Sequence, residues 1–208
     1  MKEAPYAWVV VWATFFALAI IFGVSYSFAA FFASFANEFD AQRADVSLVF
    51  GLSGGVYFVF GAVGGMLADR FGPRAVTSAG MLLIAAGLLL CSFAGSMPMV
   101  YAAYGVGVGL GIALVYTPSI GCVQPWFTQR RGLAAGLASA GIGAGTVSVP
   151  LIAAAAIDAL QWRDAMRALA AGVLVAGLCA TWLLRRAPMA SAGRSNQIPG
   201  LSRREALR

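Results

Sequence analysis

Residues 65–74 read Gly65-Met66-Leu67-Ala68-Asp69-Arg70-Phe71-Gly72-Pro73-Arg74, a match to G-x-x-x-D-R-x-G-x-R. An uncharged run from Val46 to Ala68 ends here, and another, Ala75 to Gln129, begins directly after it. Crossing a bilayer takes about 20 apolar residues per helix, so this short stretch holds the end of one membrane helix, a tight connection and the start of the next. Gly72 and Pro73 supply the turn, while Arg70 and Arg74 hold the connection at the cytoplasmic face. Gly65 leaves room for a neighbouring backbone. Asp69 is a carboxylate at a helix end in a thin loop, and it calls for a partner: an arginine of the same loop or the positive N-terminus of another helix.

Outward from this connection the chain divides into further charge-free runs, Ala4 to Asn37, Gly132 to Ile157 and Ala168 to Leu184. The long run Ala75 to Gln129 is split by the turn-like Gly95-Ser96-Met97-Pro98. Six transmembrane helices follow, near residues 7–33, 46–68, 75–94, 98–123, 132–157 and 165–185. Residues 1–186 form one six-helix transmembrane half-domain, and 187–208 read as a polar, Arg-rich, disordered cytoplasmic tail. Composition agrees: 61% of the 208 residues are hydrophobic and 11% charged, with a mean hydropathy of +0.83. About 127 apolar residues are nearly consumed by six spans, leaving little for a soluble domain. The N-terminal run is too long for a secretory signal and is expected to remain as the first span.

The chain has no histidine, which removes the commonest general base, haem ligand and zinc ligand. Without an intramembrane acidic pair either, neither a Ser-His nor a paired-aspartate mechanism can be assembled, so no catalytic residue, metal or cofactor is expected. Cys91, Cys122 and Cys179 lie in apolar runs without ligand spacing and read as small hydrophobes. The net charge of +6 does not signal nucleic acid, because the basic residues sit at the ends of apolar runs. With the N-terminus inside, eleven of the fourteen Lys and Arg residues are cytoplasmic, Arg130 and Arg131 of the second cytoplasmic loop among them; only Arg43, Arg163 and Arg167 fall outside. The positive-inside rule therefore puts both termini in the cytoplasm of a multi-pass cell-membrane protein.

Glycine pairs four residues apart, Gly61/Gly65, Gly105/Gly109, Gly107/Gly111, Gly132/Gly136 and Gly141/Gly145, share a helix face and predict close helix contacts. Pro118 and Pro150 interrupt the fourth and fifth spans and free a carbonyl each. Polar handles within the spans are Ser25, Tyr26 and Ser27, Tyr57, Tyr116, Thr117 and Ser119, and Thr146 and Ser148. Tyr6, Tyr101 and Tyr104, nearer the span ends, read as interfacial anchors.

The decapeptide resembles the loop between the second and third helices of the major facilitator superfamily. Two other stretches are similar to its monocarboxylate transporter and oxalate:formate antiporter branch. One is Tyr6-Ala7-Trp8-Val9-Val10-Val11 leading to Gly23-Val24-Ser25-Tyr26-Ser27-Phe28; the other is Gly109-Leu110-Gly111 through Tyr116-Thr117-Pro118 to Trp126-Phe127-Thr128-Gln129-Arg130-Arg131-Gly132-Leu133-Ala134-Ala135-Gly136. The resemblance covers residues 4–185. It implies an all-α membrane fold, six helices forming one half of a twelve-helix transporter, each half a 3+3 inverted repeat. It further implies that Ser25, Tyr26, Tyr57, Tyr116 and Thr117 face a substrate cavity, and that Gly65, Asp69, Arg70, Gly72 and Arg74 form a conformational-switch loop. The chain departs from the pattern in having no arginine in the fourth span and no Gly-Pro pair in the fifth, which weakens proton coupling there and multidrug efflux.

The function this implies is secondary transport of a small, monocarboxylate-like organic anion by alternating access, with a proton or a counter-anion. The implied partners are the lipid bilayer and a missing C-terminal half or a second copy, not nucleic acid. The competing reading is a truncated or structural six-helix membrane protein without transport of its own.

Overall fold

A computed structural model describes residues 5–187; the tail expected from 187 onward lies, apart from Ala187, outside the described residues. Six helices are long and apolar enough to cross a membrane: α1 Pro5–Glu38, α2 Arg43–Phe71, α3 Pro73–Ser92, α4 Met97–Trp126, α5 Arg131–Leu160 and α6 Trp162–Trp182. In hydrocarbon every backbone donor and acceptor must be satisfied within the segment, so runs of this composition become helices and the breaks fall where the sequence turns polar or special. α1 has 34 residues and is roughly 51 Å long at 1.5 Å per residue, well over the bilayer core of about 30 Å, so it tilts or projects. Two helices widen locally into π-helical turns, Tyr101–Val108 within α4 and Val173–Gly177 within α6. Pro118 and Pro150 lie inside continuous helix.

The helices fall into two three-helix units, α1–α3 and α4–α6. α1 packs along α5 and α4 along α2, so the first helix of each unit lies on the second helix of the other; α3 packs on α4 and α6. This exchange is the pairing an inverted repeat requires. The symmetry reaches individual residues. One residue at positive φ separates the second and third helices of each unit, Gly72 (φ 93°, ψ 147°) and Gln161 (φ 68°, ψ 160°). An arginine then occupies the second position of each third helix, Arg74 and Arg163, and each caps the C-terminus of the other third helix. Arg163 donates to the carbonyls of Ser92 (2.9 Å) and Ala94 (3.0 Å) after α3, and Arg74 donates to the carbonyl of Trp182 at the end of α6. Those carbonyls have no partner within their own helices, so each cap satisfies acceptors left over at a helix end.

Close approach is concentrated where α1 crosses α5. A Cβ on Gly141 would lie 2.1 Å from the Phe15 carbonyl oxygen and one on Gly145 1.9 Å from that of Ala19. On α2 the tight position is Gly64, 2.3 Å from the Ala113 oxygen, rather than Gly61 or Gly65 of the expected pair, which face the Thr117 side chain. The pair Gly132/Gly136 meets nothing within 4 Å and makes no helix contact, contrary to the expectation from spacing. Tyr104 is not an interfacial anchor. It is fully buried among α1, α3 and α4, and its hydroxyl donates to the Val24 carbonyl at 2.8 Å, while its ring lies 5.2 Å from that of Phe28. Tyr6 and Tyr101 do sit near helix ends, donating to the Leu183 and Asp45 carbonyls.

The main core joins α1, α3, α4 and α6 around Phe28, Phe31, Phe35 and Tyr104, and a smaller one near the Gly72 end gathers Val10, Val11, Phe127 and Leu184. α2 and α5 differ from the rest: only 17% of their most apolar stretch is buried, against 56% for α1, α3 and α4. Leu48, Phe58, Val59, Met66, Leu133, Val147 and Leu151 are therefore open on their outer faces.

Candidate functional site

Near the middle of the bundle α1, α2 and α4 bring three aromatic rings together. Phe22, Tyr57 and Tyr116 have centroids 5.5 to 6.2 Å apart, and each pair is close to perpendicular, with interplanar angles of 81° to 86°. Edge-to-face contact sets the positive rim of one ring against the negative face of the next, so the trio holds its geometry without hydrogen bonds among the phenols. Tyr57 and Tyr116 are half-buried. Tyr26, one turn past Phe22 on α1, is 49% exposed and packs on Phe50 of α2 at 5.9 Å.

The remaining candidates separate from the tyrosines. Ser25 is half-buried and its carbonyl accepts a long hydrogen bond from Tyr104 (3.5 Å), so it supports α1 against α4. Thr117 turns toward Gly61 and Gly65 of α2 and lines a cavity of about 440 Å³ with Gly65, Asp69, Pro118 and Arg186. Thr146 and Ser148 on α5 donate to the Gly143 and Ala144 carbonyls of their own helix, which occupies their hydroxyl protons. Phe22 and Phe50 are apolar and add no polar signal to the sequence. Phe22 stands four residues before Tyr26, on the same helix face, and that spacing is the signal that would have found it.

At the Gly72 end, Asp69 and Arg70 are exposed. Among the described residues Asp69 forms no ion pair; the backbone carbonyls of Ala68 and Asp69 accept from Arg186, which caps α2 from beyond α6. Arg70 lies over the Phe71 ring at 5.2 Å and Arg74 over the Trp182 ring at 4.8 Å. Gly72 makes the positive-φ turn between them. In the connection before α5, Arg131 donates to the Phe127 carbonyl at 2.6 Å, and Arg130 stands at the N-cap.

Six helices in two cross-packed, inverted units, with an aromatic cluster at mid-span and a basic turn at one end, define half of a two-half membrane transporter fold. The chain belongs to the Major Facilitator Superfamily, which it matches over residues 14–206. It is similar to monocarboxylate transporter 13 of Rattus norvegicus, with 36% identity over 79% of this chain and 38% of the relative. It is also similar to monocarboxylate transporter 11 of Mus musculus, 32% identical over 92% of this chain and 42% of the relative. Thus the chain spans about two-fifths of the length of these curated relatives. Among solved structures, a bacterial homologue of the human lysosomal transporter Spinster, in an inward-facing and unoccupied conformation, superposes with a TM-score of 0.78 at 18% identity. It covers 95% of this chain and 47% of that one. The fucose:proton symporter of E. coli gives 0.70 at 14%, covering 88% and 44%. At these identities the structures share the fold alone. Relatives and neighbours are transporters rather than enzymes, and the chain is a multi-pass membrane protein.

Proposed function

We propose that the chain supplies the N-terminal half of a secondary active transporter that carries a small, monocarboxylate-like organic anion by alternating access, together with a proton or counter-anion. The observation that carries this reading is the Phe22–Tyr57–Tyr116 cluster at mid-span, two phenols held edge-on beside α1 with Tyr26 nearby. A small carboxylate needs hydrogen-bond donors and a desolvating apolar wall, and tyrosine provides both. The arginines of the spans all stand near helix ends and none lies at mid-span to neutralise its charge, so the cation comes from the opposing half. The open faces of α2 and α5 are where that half, or a second copy, docks. Asp69, Arg70, Gly72 and Arg74 act in the conformational change rather than in substrate contact, since they lie at a helix end away from the cluster.

Both termini and the Gly72 turn face the cytoplasm in this reading, by the distribution of Lys and Arg. Single cysteines at Ser191 and Gln42, in a chain lacking its three native cysteines, test the topology: only the Gln42 position should label from outside intact cells. For transport, the chain reconstituted alone into liposomes should give no saturable uptake of lactate, pyruvate, oxalate or formate, and uptake should appear when a C-terminal half is co-reconstituted. Saturable uptake by the chain alone would replace the missing half with a second copy. No uptake under any pairing would favour the structural reading.

A further inference from the structure

The two ends of the bundle treat their arginines differently. At the Gln161 end Arg163 meets Glu38 at 2.9 Å and Arg167 meets Asp164 at 2.7 Å, while Arg43 forms no ion pair among the described residues. At the Gly72 end Arg70, Arg74, Arg185 and Arg186 line one open groove of about 500 Å³ with Gly72 and Pro73, and among the described residues no acidic one lines it. Among the described residues none of these four forms an ion pair. The inverted repeat makes the contrast exact in kind. Arg74 and Arg163 are equivalent by position and both cap a third helix, but Arg163 also receives Glu38 from the end of α1. The equivalent end of α4, Gln124-Pro125-Trp126, has no acid to offer. Arg74 correspondingly keeps a buried Nε–H without an acceptor. Buried donors are otherwise almost always satisfied, and four guanidinium groups gathered along one groove, none of them ion-paired among the described residues although Asp69 stands beside Arg70, repel one another.

We propose that this groove binds the phosphate of an anionic phospholipid, the lipid anion standing where Glu38 stands at the other end. Position favours lipid over a soluble ion. Arg70 stands two residues past the uncharged stretch of α2, after Asp69, and Arg185 directly follows that of α6, which puts the groove at headgroup depth, and the exposed Phe71 ring beside it is apolar enough to meet acyl chains. Guanidinium groups match phosphate oxygens in planar, two-point contacts, and basic pockets between helices on the cytoplasmic side hold anionic headgroups. The leaflet rests on the orientation argued above; the site does not. Bound there, a lipid ties the turn between α2 and α3 to the end of α6, and so makes the switch loop sensitive to lipid composition.

The test uses the full chain, purified and placed in mixed micelles of phosphatidylglycerol or phosphatidylcholine, with bound lipid counted by native mass spectrometry and binding followed through Trp182 fluorescence. Phosphatidylglycerol should bind saturably, one per chain, and phosphatidylcholine at least ten-fold more weakly. Each arginine near a lipid surface contributes about 1 kcal/mol, so Arg70→Gln should weaken phosphatidylglycerol about five-fold and Arg74→Gln by at least as much. Arg167→Gln, at the other end, should leave it unchanged. If Arg74→Gln does not fold, Arg70→Gln decides. Equal binding of the two lipids, or indifference to Arg70→Gln, overturns the proposal. Equal occupancy by millimolar inorganic phosphate reassigns the groove to a free ion and overturns the lipid assignment. None of these readouts involves uptake, so the site stands or falls apart from the transport reading.

Discussion

Replacing Gly145 by alanine adds one methyl at the tightest point of the α1–α5 crossing. That Cβ would lie 1.9 Å from the Ala19 carbonyl oxygen and 2.6 Å from the Ala19 carbon atoms, all of them backbone that no side-chain rotation can move. To restore even a 3.0 Å contact, α5 must retreat by at least about 1.1 Å. A gap of 0.5–1 Å already forfeits a quarter to a half of the dispersion energy of each facing pair, and lipid offers no hydrophobic drive to press the helices together again. Gly141 and Gly23, along the same seam, would lose their contacts with α1 and α5 in step. Overpacking of this kind costs about 1–3 kcal/mol, and with backbone on both sides the upper half of that range applies. For a chain of this size, each kcal/mol moves the melting temperature by about 2–4 °C, so a fall of roughly 5–10 °C is expected. Cys91 and Cys122 are buried and supply the readout: a thiol-reactive fluorophore labels them as the protein unfolds, once exposed Cys179 is replaced by serine. Gly143→Ala, with nothing within 4 Å of its Cβ, is the control and should hold or slightly raise the melting temperature. An unchanged melting temperature for Gly145→Ala would refute the reasoning that α1 and α5 meet backbone to backbone.

Gln161 holds φ 68° and ψ 160°, a region almost reserved for glycine, so Gln161→Gly should stabilise the chain by about 1 kcal/mol, while Gly72→Ala, at φ 93°, should destabilise it by a similar amount; thermal unfolding measures both. In a complete transporter, Asp69→Asn should slow turnover and largely spare substrate affinity, because the exposed Asp69 lies at the end of α2; uptake kinetics separate the two parameters. Tyr57→Phe and Tyr116→Phe keep the ring contacts of the aromatic trio and remove only a hydroxyl. Each should raise the KM for a carboxylate about five-fold, the value of a hydrogen bond of about 1 kcal/mol, with no change in melting temperature.

The aromatic site was half legible in the sequence. Tyr57 and Tyr116 carried a visible polar signal, and the structure brings their rings within 5.7 Å of one another. Phe22, the third member, is one of fourteen phenylalanines, marked only by its four-residue spacing from Tyr26, and it joins the cluster once α1 is packed against α2 and α4. Thr117 follows Tyr116 directly, yet one helical step of 100° turns it toward α2 and the cavity at the Gly72 end. Adjacent residues in a helix do not share a face, so proximity in the chain was a poor guide to membership of the aromatic cluster.

Composition and spacing were sufficient for six apolar helices, their breaks and the basic turn at Gly72, because in a bilayer the backbone can satisfy itself only as helix and length alone then counts the spans. They could not choose which faces meet. These helices are apolar nearly all round, so periodicity does not separate a buried stripe from one that faces lipid. Gly132/Gly136 and Gly141/Gly145 have identical spacing, yet only the second pair touches α1. Tyr104 sits close to a break and still lies at the centre of the core, and the exchange of Arg74 and Arg163 between the ends of α3 and α6 spans residues far apart in the chain. Those contacts exist only once the two units cross, since association of membrane helices is decided by the fit of particular surfaces and not by the water that sorts residues in a soluble protein.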